Sequence, residues 1–349
     1  MKKHQGIIFS SLLVCLVLVF VLDIATGSVH VPLVEVVKAL TGRLSHDNGW
    51  YDIVVIFRLP KAICATAAGA GLAVSGLMMQ TLFRNPLAGP SVLGITSGAS
   101  LGVALVVLGT GVGVRGAGLL SGLVGLDGNL LMVAASAIGA ALVLLLVLLV
   151  ARLVENIMTV LIVGILGGFA ISSVVSVLIH FSRPEMVQAY LAWTFGSFGS
   201  VTWRQIWIFV PVVALPLLAS MLLGKPLNGL LLGDAYARSM GVSHWRLRLL
   251  VLFLTAMMVG SVTAFCGPVG FIGIAVPHLS RAALDSSDHR SVMPATVFAG
   301  AIVALLADLV AQLPGCQAVL PLNAVTALIG SPVIIWFILK RQMADAFPA

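Results

Sequence analysis

Ionisable side chains are scarce in this sequence, and one carboxylate, Asp308, lies within an apolar run from residue 293 to residue 312. A charge inside a membrane span is costly, so such a carboxylate is a candidate for proton transfer or another transport role. A proton relay needs a second ionisable partner, and this run contains none at helical spacing. The sequence therefore favours a structural hydrogen bond for Asp308.

Cysteine and histidine, which bind soft metals and support redox chemistry, do not form a recognisable motif. The four cysteines, Cys15, Cys64, Cys266 and Cys316, occur singly and without CxxC spacing. His278 lies in the segment VPHLSR, and we interpret it as structural. We expect the cysteines to be small buried residues and the chain to hold no metal site.

Arg58 and Lys61 stand one helical turn apart at the start of an apolar stretch. On a helix, residues at this spacing lie on one face, so we expect both side chains to point toward solvent. Two interpretations follow. The pair either snorkels at the membrane interface, as Arg and Lys often do at helix ends, or contacts a partner.

The elements that must position these residues are membrane helices, because the composition excludes a water-soluble fold. The chain is 60% hydrophobic and 9% charged, whereas soluble domains carry about 25% charged residues. Its 36 glycines and 7% aromatic residues suit closely packed helices better than a barrel. The net charge of +7 comes from single basic residues at the ends of apolar stretches, which indicates membrane topology and argues against nucleic acid.

Apolar runs of about 20 residues predict roughly ten transmembrane helices in a single domain covering residues 1–349. Lys2 and Lys3 precede the first run, whose length favours an uncleaved helix over a signal peptide. The predicted spans are 6–26, 58–82, 92–110, 129–151, 157–181, 203–223, 247–266, 268–284, 293–312 and 323–340.

The distribution of basic residues predicts the orientation of the spans. With a cytoplasmic N-terminus, 12 of the 19 Lys and Arg residues fall inside and 7 outside, as the positive-inside rule requires. Residues 27–57 and 183–200 then form external connections, and residues 224–246 form an internal one. In the internal segment we expect two short helices, broken at Gly233 and ended near Gly241, that offer a surface to a cytoplasmic partner.

Several motifs give the chain a resemblance to a known family. The first half contains GAGLAVSG, MMQTLFRNPLAGPSVLG and SGASLG, in which small residues at three- and four-residue spacing predict close helix packing. The second half contains LLLGDAYARSMGV, GPVGFIGIAVPHLSR and LPLNAVTALIGSPVIIW. With these segments the chain resembles the FecCD-type permeases of bacterial ATP-binding-cassette (ABC) importers for iron-siderophores, haem and vitamin B12.

The resemblance implies an all-α integral membrane protein of the bacterial inner membrane, with a vitamin B12 importer permease-like fold. It also implies a homodimer, two cytoplasmic ATP-binding subunits and an external substrate-binding protein. No GxxxxGK[ST] phosphate loop occurs in the sequence, the nearest fragment being LGKP at residues 223–226. We therefore expect no enzyme activity and no cofactor on this chain, with ATP and Mg²⁺ bound by the partner ATPase.

The resemblance also implies roles for particular residues. Arg58 and Lys61 match the position that meets acidic residues of the binding protein, although the family often has a further basic residue where this chain has Gln312. Ile157 and Met158 match the cytoplasmic gate, where apolar residues suit a dry constriction. The residues expected to contact the ATPase are Leu232, Gly233, Asp234, Ala235, Arg238 and Gly241.

His180, Thr194 and Ser197 lie near the predicted external vestibule, where they could line the route of a polar ligand. The ligand itself stays open at this point, with a ferric siderophore first, haem second and cobalamin third. The main rival is a secondary transporter driven by an ion gradient, which would show broken helices or paired charges near the midplane. A membrane-embedded enzyme would need a constellation such as HExxH, which the sequence lacks.

Overall fold

A computed structural model describes most of the chain, and the regular secondary structure of the described part is helical. The described residues are 2–27, 29, 31–43, 49–108, 128–154, 156–233, 241, 243–313 and 319–346. The helices are α1 Lys2–Ala25, α2 Leu33–Leu40, α3 Leu59–Phe83, α4 Ile95–Val107, α5 Gly128–Leu153, α6 Ile157–His180, α7 Pro184–Thr194, α8 Trp203–Met221, α9 Gly224–Leu231, α10 His244–Cys266, α11 Ile272–Leu284, α12 His289–Ala311 and α13 Leu322–Ala346. The short segments Gly49–Tyr51 and Asp52–Arg58 lead into α3, and the turn Pro90–Leu93 precedes α4.

Ten of these helices correspond to the ten predicted spans, which confirms an all-α membrane fold. Seven helical stretches of the described chain are long and apolar enough to cross a membrane. The other three apolar helices, Ile95–Val107, Ile272–Leu284 and Leu322–Phe337, are shorter. The count of ten crossings is therefore approximate.

Two helices begin three or four residues after the approximate starts predicted for their spans. Helix α4 begins at Ile95 rather than at residue 92, and α11 begins at Ile272 rather than at residue 268. Backbone turns cause both delays, because Gly94 has a φ of 75° and Phe271 a φ of 64°, a conformation that ends or delays a right-handed helix. Such non-helical backbone is tolerated at membrane depth where protein surrounds it.

Helix α3 forms the centre of the bundle, with every residue from Ala68 to Phe83 buried. Helices α8, α10, α11 and α12 pack around it. A helix that is covered on all sides must be apolar all round, which explains why its sequence shows no polar face.

Small residues let the helices approach closely, as their spacing predicted. A Cβ atom added to Gly69 of α3 would overlap the carbonyl oxygen of Gly300 on α12, and one added to Gly300 would overlap that of Gly69. Gly98 of α4 and Gly139 of α5 show the same reciprocal contact. Backbone contact of this kind supplies the packing energy that apolar burial cannot supply within lipid.

The bundle has two ends, which we call the Lys61 end and the Arg84 end after residues at the start and just past the end of α3. With 25 residues, α3 is about 37 Å long, enough to cross the hydrocarbon region. The Lys61 end also holds α7 and the start of α8, since Trp203 donates a hydrogen bond to the Val55 carbonyl. The Arg84 end holds α9 and the start of α12.

Candidate functional site

Arg58 and Lys61 lie at the Lys61 end, but their side chains turn into the protein. Arg58 is 7% exposed and Lys61 is 9% exposed. The expectation that both point toward solvent was therefore wrong. The reason is tertiary, because α1 and α12 cover the face of α3 on which the two residues lie.

The Arg58 guanidinium group binds the end of α1. Nη1 donates hydrogen bonds to the carbonyl oxygens of Ile24 and Ala25, at 2.8 and 2.9 Å, and Nη2 donates to that of Val29. The last carbonyls of a helix lack intrahelical partners and carry the negative end of the helix dipole. Arg58 satisfies them and fixes the chain that leaves α1. A Cβ at Gly27 would lie 2.8 Å from Nη2, so a larger residue there would displace the guanidinium group.

Lys61 forms a buried ion pair between helices. Its Nζ atom lies 2.8 Å from Asp308 Oδ2 on α12 and 3.7 Å from Asp23 Oδ2 on α1. The Gln312 side-chain amide donates to Asp308 Oδ2 at 2.6 Å and to Asp23 Oδ1 at 3.3 Å. Three helices thus meet at four polar side chains, which we call the charge cluster: Asp23, Lys61, Asp308 and Gln312.

Acidic and basic side chains meet at the charge cluster. Lys61 Nζ lies within ion-pair distance of both carboxyl groups, closer to Asp308 than to Asp23. Buried charges are tolerated where they are paired and hydrogen-bonded. These contacts can therefore hold α1, α3 and α12 together.

The hydrogen bond expected for Asp308 is present. Its Oδ2 atom accepts from the side-chain amide of Gln312, one helical turn further along the chain. The ion pair with Lys61 was not predicted, because the partner lies 247 positions earlier in the sequence. Asp23 was missed as a site residue. The rule that singled out Asp308 applies equally to Asp23, a carboxylate within the first apolar run.

The predicted vestibule residues gather at the same end. Ser197 donates its backbone N–H to the Cys266 carbonyl at 2.8 Å and lines a cavity of about 80 Å³ with Trp193 and Gln205. Thr194 donates its hydroxyl to the Leu191 carbonyl. His180 ends α6 and is exposed, with its ring edge-on to Phe181. A cavity of this size has room for only a few water molecules.

Ile157 and Met158, the predicted gate residues, form the first turn of α6 at the Arg84 end. The Asn156 side chain accepts a hydrogen bond from the Met158 N–H at 2.9 Å, which caps the helix and fixes its start. Met158 is exposed on the surface of the single chain. The pair can form a constriction only where another surface faces α6.

The predicted ATPase-contact segment is described in part. Helix α9 ends at Leu231, Leu232 is exposed, and Gly233 has a φ of 115°, so the chain leaves the helix where the break was expected. Gly241 also has a positive φ of 75°. Three of the predicted contact residues lie outside the described residues: Asp234, Ala235 and Arg238.

The structure agrees with the expectation for His278 and only in part with the expectation for the cysteines. His278 Nε2 donates to the Pro86 carbonyl at 2.8 Å and its ring packs on Phe337, which agrees with a structural role. Cys64 and Cys266 are both buried, as expected, but they are not isolated, since their Sγ atoms lie 3.3 Å apart across α3 and α10. Cys15 is exposed, contrary to the prediction, and Cys316 lies outside the described residues.

Comparison with known proteins extends these observations. The model of the FecCD transport family matches residues 15–340. The vitamin B12 import system permease protein BtuC of Salmonella paratyphi A is 39% identical over 285 residues, covering 81% of this chain and 82% of that protein. BtuC of Citrobacter koseri is 37% identical over 286 residues, covering 82% of each. A solved structure assigned to the metal-chelate type of ABC transporter, in an inward-facing conformation, has a TM-score of 0.81 at 28% identity, covering 96% of this chain and 99% of that one.

Proposed function

This chain belongs to the FecCD transport family, and from that premise we propose that it is the permease subunit of an ABC importer that carries a metal chelate into the cytoplasm. The observation that carries the proposal is the family match over residues 15–340. A fold likeness over 96% of the chain supports it. The subunit is a transport protein of the membrane and not an enzyme.

The cargo is a bulky metal chelate of one of three kinds. The family resemblance favours a ferric siderophore first, then haem and then cobalamin. Relatives at 37–39% identity are named for vitamin B12 import, which supports cobalamin as well. All three ligands therefore enter the test.

The proposed orientation places the Lys61 end outside and the Arg84 end in the cytoplasm of the bacterial inner membrane. The excess of basic residues near the Arg84 end supports this orientation. Segment 224–246, which begins with α9, would then dock on the ATP-binding subunits. Those subunits would bind ATP and Mg²⁺.

The proposed pathway lies between two copies of this chain, along α6. Ser172, Ser176 and His180 recur at four-residue spacing and are exposed, so they form a polar stripe on one face of α6. A polar stripe is costly against lipid but suits a water-filled pathway. Ile157 and Met158, at the opposite end of the same helix, are then the proposed gate.

In docking of the binding protein at the Lys61 end, the proposed role of Arg58 and Lys61 is indirect. Arg58 and Lys61 are held by partners within the chain, so in this conformation they do not present their charges to a partner protein. We propose that they act on docking by fixing the end of α1 and the connection that follows it. The docking surface is then shaped by these residues rather than built from them.

The buried ion pair gives little support to the alternative function, a secondary transporter. Lys61 is the third residue of α3, so the charge cluster lies at the end of the span and not at the midplane. Intramembrane sites of gradient-driven transporters lie near the midplane. Family membership favours the ATP-driven importer as well.

Uptake by cells tests the proposal. Cells with the gene deleted and restored are given radiolabelled ferrichrome, haemin or cyanocobalamin, and accumulation is measured. We expect uptake of at least one chelate to fall on deletion and to return with the wild-type gene. Unchanged uptake of all three would count against a chelate importer.

A further inference from the structure

His289, the first residue of α12, is buried at the Arg84 end and bonds to two other helices. Its Nε2 atom lies 2.8 Å from the Thr81 hydroxyl oxygen on α3. Its Nδ1 atom lies 2.8 Å from Asn228 Oδ1 on α9. One imidazole ring therefore joins α9 to the two helices that cross at Gly69 and Gly300.

The orientation of the Asn228 amide is set by its other contacts. Its Oδ1 accepts the His289 backbone N–H at 2.9 Å, and its Nδ2 donates to Asp288 Oδ1 at 2.6 Å. Asp288 caps α12, and the Arg290 N–H together with the Asn228 amide holds the pKa of its carboxyl below the ordinary value. Because the Asp288 carboxylate can only accept hydrogen bonds, the amide nitrogen of Asn228 faces Asp288 and the amide oxygen faces His289.

This orientation assigns the tautomer of the neutral ring. Nδ1–H of His289 donates to Asn228 Oδ1, which leaves Nε2 to accept from the Thr81 hydroxyl. The same hydroxyl lies 2.9 Å from the Leu77 carbonyl oxygen, so its single proton has two acceptors, one within α3 and one on α12. We call Thr81, Asn228 and His289 the α9 node.

The α9 node is placed between the segment proposed to meet the ATPase and the rest of the bundle. Helix α9 leads directly into Leu232 and Gly233. The other two helices of the node, α3 and α12, also carry Lys61 and Asp308 at the opposite end. From Thr81 to Lys61 along α3 is about 30 Å at 1.5 Å per residue, so the pair of helices links both ends of the bundle.

We propose that the α9 node is a positioning element that converts movement of α9 into movement of α3 and α12, coupling ATP hydrolysis by the partner to transport. The inference rests on the proposed function. Without these hydrogen bonds, α9 would still move with the ATPase, but its movement would not be passed on to α3 and α12. Coupling through discrete hydrogen-bonded contacts between rigid helices is a recognised carrier of such signals.

A matched pair of substitutions tests the inference. Thr81→Val keeps the shape of the side chain and removes the hydroxyl, whereas Thr81→Ser keeps the hydroxyl. Asn228→Ala removes the α9 side of the same chain of bonds. Each variant is purified with its ATP-binding subunits and binding protein and placed in proteoliposomes, where ATP hydrolysis and uptake of ferrichrome, haemin and cyanocobalamin are measured together.

We expect Thr81→Val and Asn228→Ala to hydrolyse ATP within about twofold of wild type while uptake per ATP falls about fivefold or more, a typical size for coupling between sites. Stimulation of ATP hydrolysis by the binding protein should fall as well. Thr81→Ser should behave like wild type in both readouts. A merely structural node would lower assembly and both activities together.

An unchanged ratio of uptake to ATP hydrolysis in both node variants would overturn the inference, whether the two activities stay at the wild-type level or fall in proportion. If Asn228→Ala does not assemble, the Thr81 pair decides. A wild-type complex that hydrolyses ATP but takes up none of the three chelates counts against the proposed function instead. The inference is then decided by whether the binding protein still stimulates ATP hydrolysis in Thr81→Val.

Discussion

The ammonium nitrogen of Lys61 lies 2.8 Å from a carboxylate oxygen of Asp308, inside the protein and between two helices. The same separation joins Lys38 to Glu35 on α2, where the lysine side chain is 47% exposed against 11% for Lys61. Equal geometry with different burial predicts different energetics. Exposed pairs contribute about 0 to 1 kcal/mol, whereas breaking a buried pair strands a charge.

Replacing Lys61 with methionine should therefore destabilise the protein strongly. The substitution leaves Asp23 and Asp308 together without a cation at Nζ, and we expect a loss of about 3 to 5 kcal/mol. Thermal unfolding in detergent, followed by tryptophan fluorescence, measures the effect. Adding Asp308→Asn to Lys61→Met should recover part of the loss, because residue 308 then no longer carries a buried charge without a partner.

Lys38→Met is the control for this prediction and should change stability by about 1 kcal/mol or less. If Lys61→Met and Lys38→Met unfold at the same temperature, the buried pair does not stabilise the bundle. The role assigned to the charge cluster would then be withdrawn.

Arg58 should protect the backbone that follows α1. Thr26 and Val31 donate their N–H groups to the carbonyls of Leu22 and Ala25, close to the carbonyls that Arg58 binds. Arg58→Gln removes the charge and most of the hydrogen-bond donors of this side chain. We expect local stability to fall by about 1.4 kcal/mol or more, so these amides should exchange with solvent about tenfold faster or more.

Hydrogen exchange read by mass spectrometry checks this expectation. Arg43→Gln, at an exposed arginine of the connection between α1 and α3, is the matched control and should leave exchange unchanged. Equal protection of residues 22–31 in Arg58→Gln and wild type would show that Arg58 does not hold the end of α1.

Orientation in the membrane is tested by cysteine labelling in a variant that lacks the four native cysteines. Ala88 in the RNPLAGP turn is buried, but its neighbour Leu87 is 48% exposed and suits labelling. A membrane-impermeant maleimide added outside intact cells should label Phe181→Cys, which is 83% exposed at the Lys61 end, and spare Leu87→Cys. The reverse pattern would invert the proposed topology.

Close packing of α3 on α12 predicts that Gly69 accepts no larger residue. Its added Cβ would meet the Gly300 backbone, so Gly69→Ala should cost about 1 to 3 kcal/mol through forced separation of the helices. Gly167 on α6 has open space around its Cβ position, and Gly167→Ala should be neutral or slightly stabilising. Yields and unfolding temperatures of the two variants are compared, and equal values would argue against the close crossing.

Sequence reasoning placed the apolar helices well because each span is a local pattern that lipid imposes on about 20 consecutive residues. The starts of α4 and α11 fall three and four residues after the approximate bounds, because the backbone of Gly94 and Phe271 turns inside the protein. Turns of that kind depend on the surrounding helices more than on the apolar run itself.

The charge cluster was beyond such reasoning for a related reason. Asp23, Lys61 and Asp308 lie on three separate spans, and only the packing of α1, α3 and α12 brings them together. A single sequence contains no signal for that pairing. The solvent-facing expectation for Lys61 failed because helical spacing defines a shared face but not what covers it.

ATP-driven uptake in proteoliposomes tests the central claim most directly. The chain is reconstituted with its ATP-binding subunits and binding protein, and uptake of radiolabelled ferrichrome, haemin and cyanocobalamin is followed with ATP or with an imposed ion gradient as the only energy source. We predict uptake of at least one chelate that requires ATP and continues when ionophores collapse all gradients. Uptake that an ion gradient drives without ATP would contradict the account.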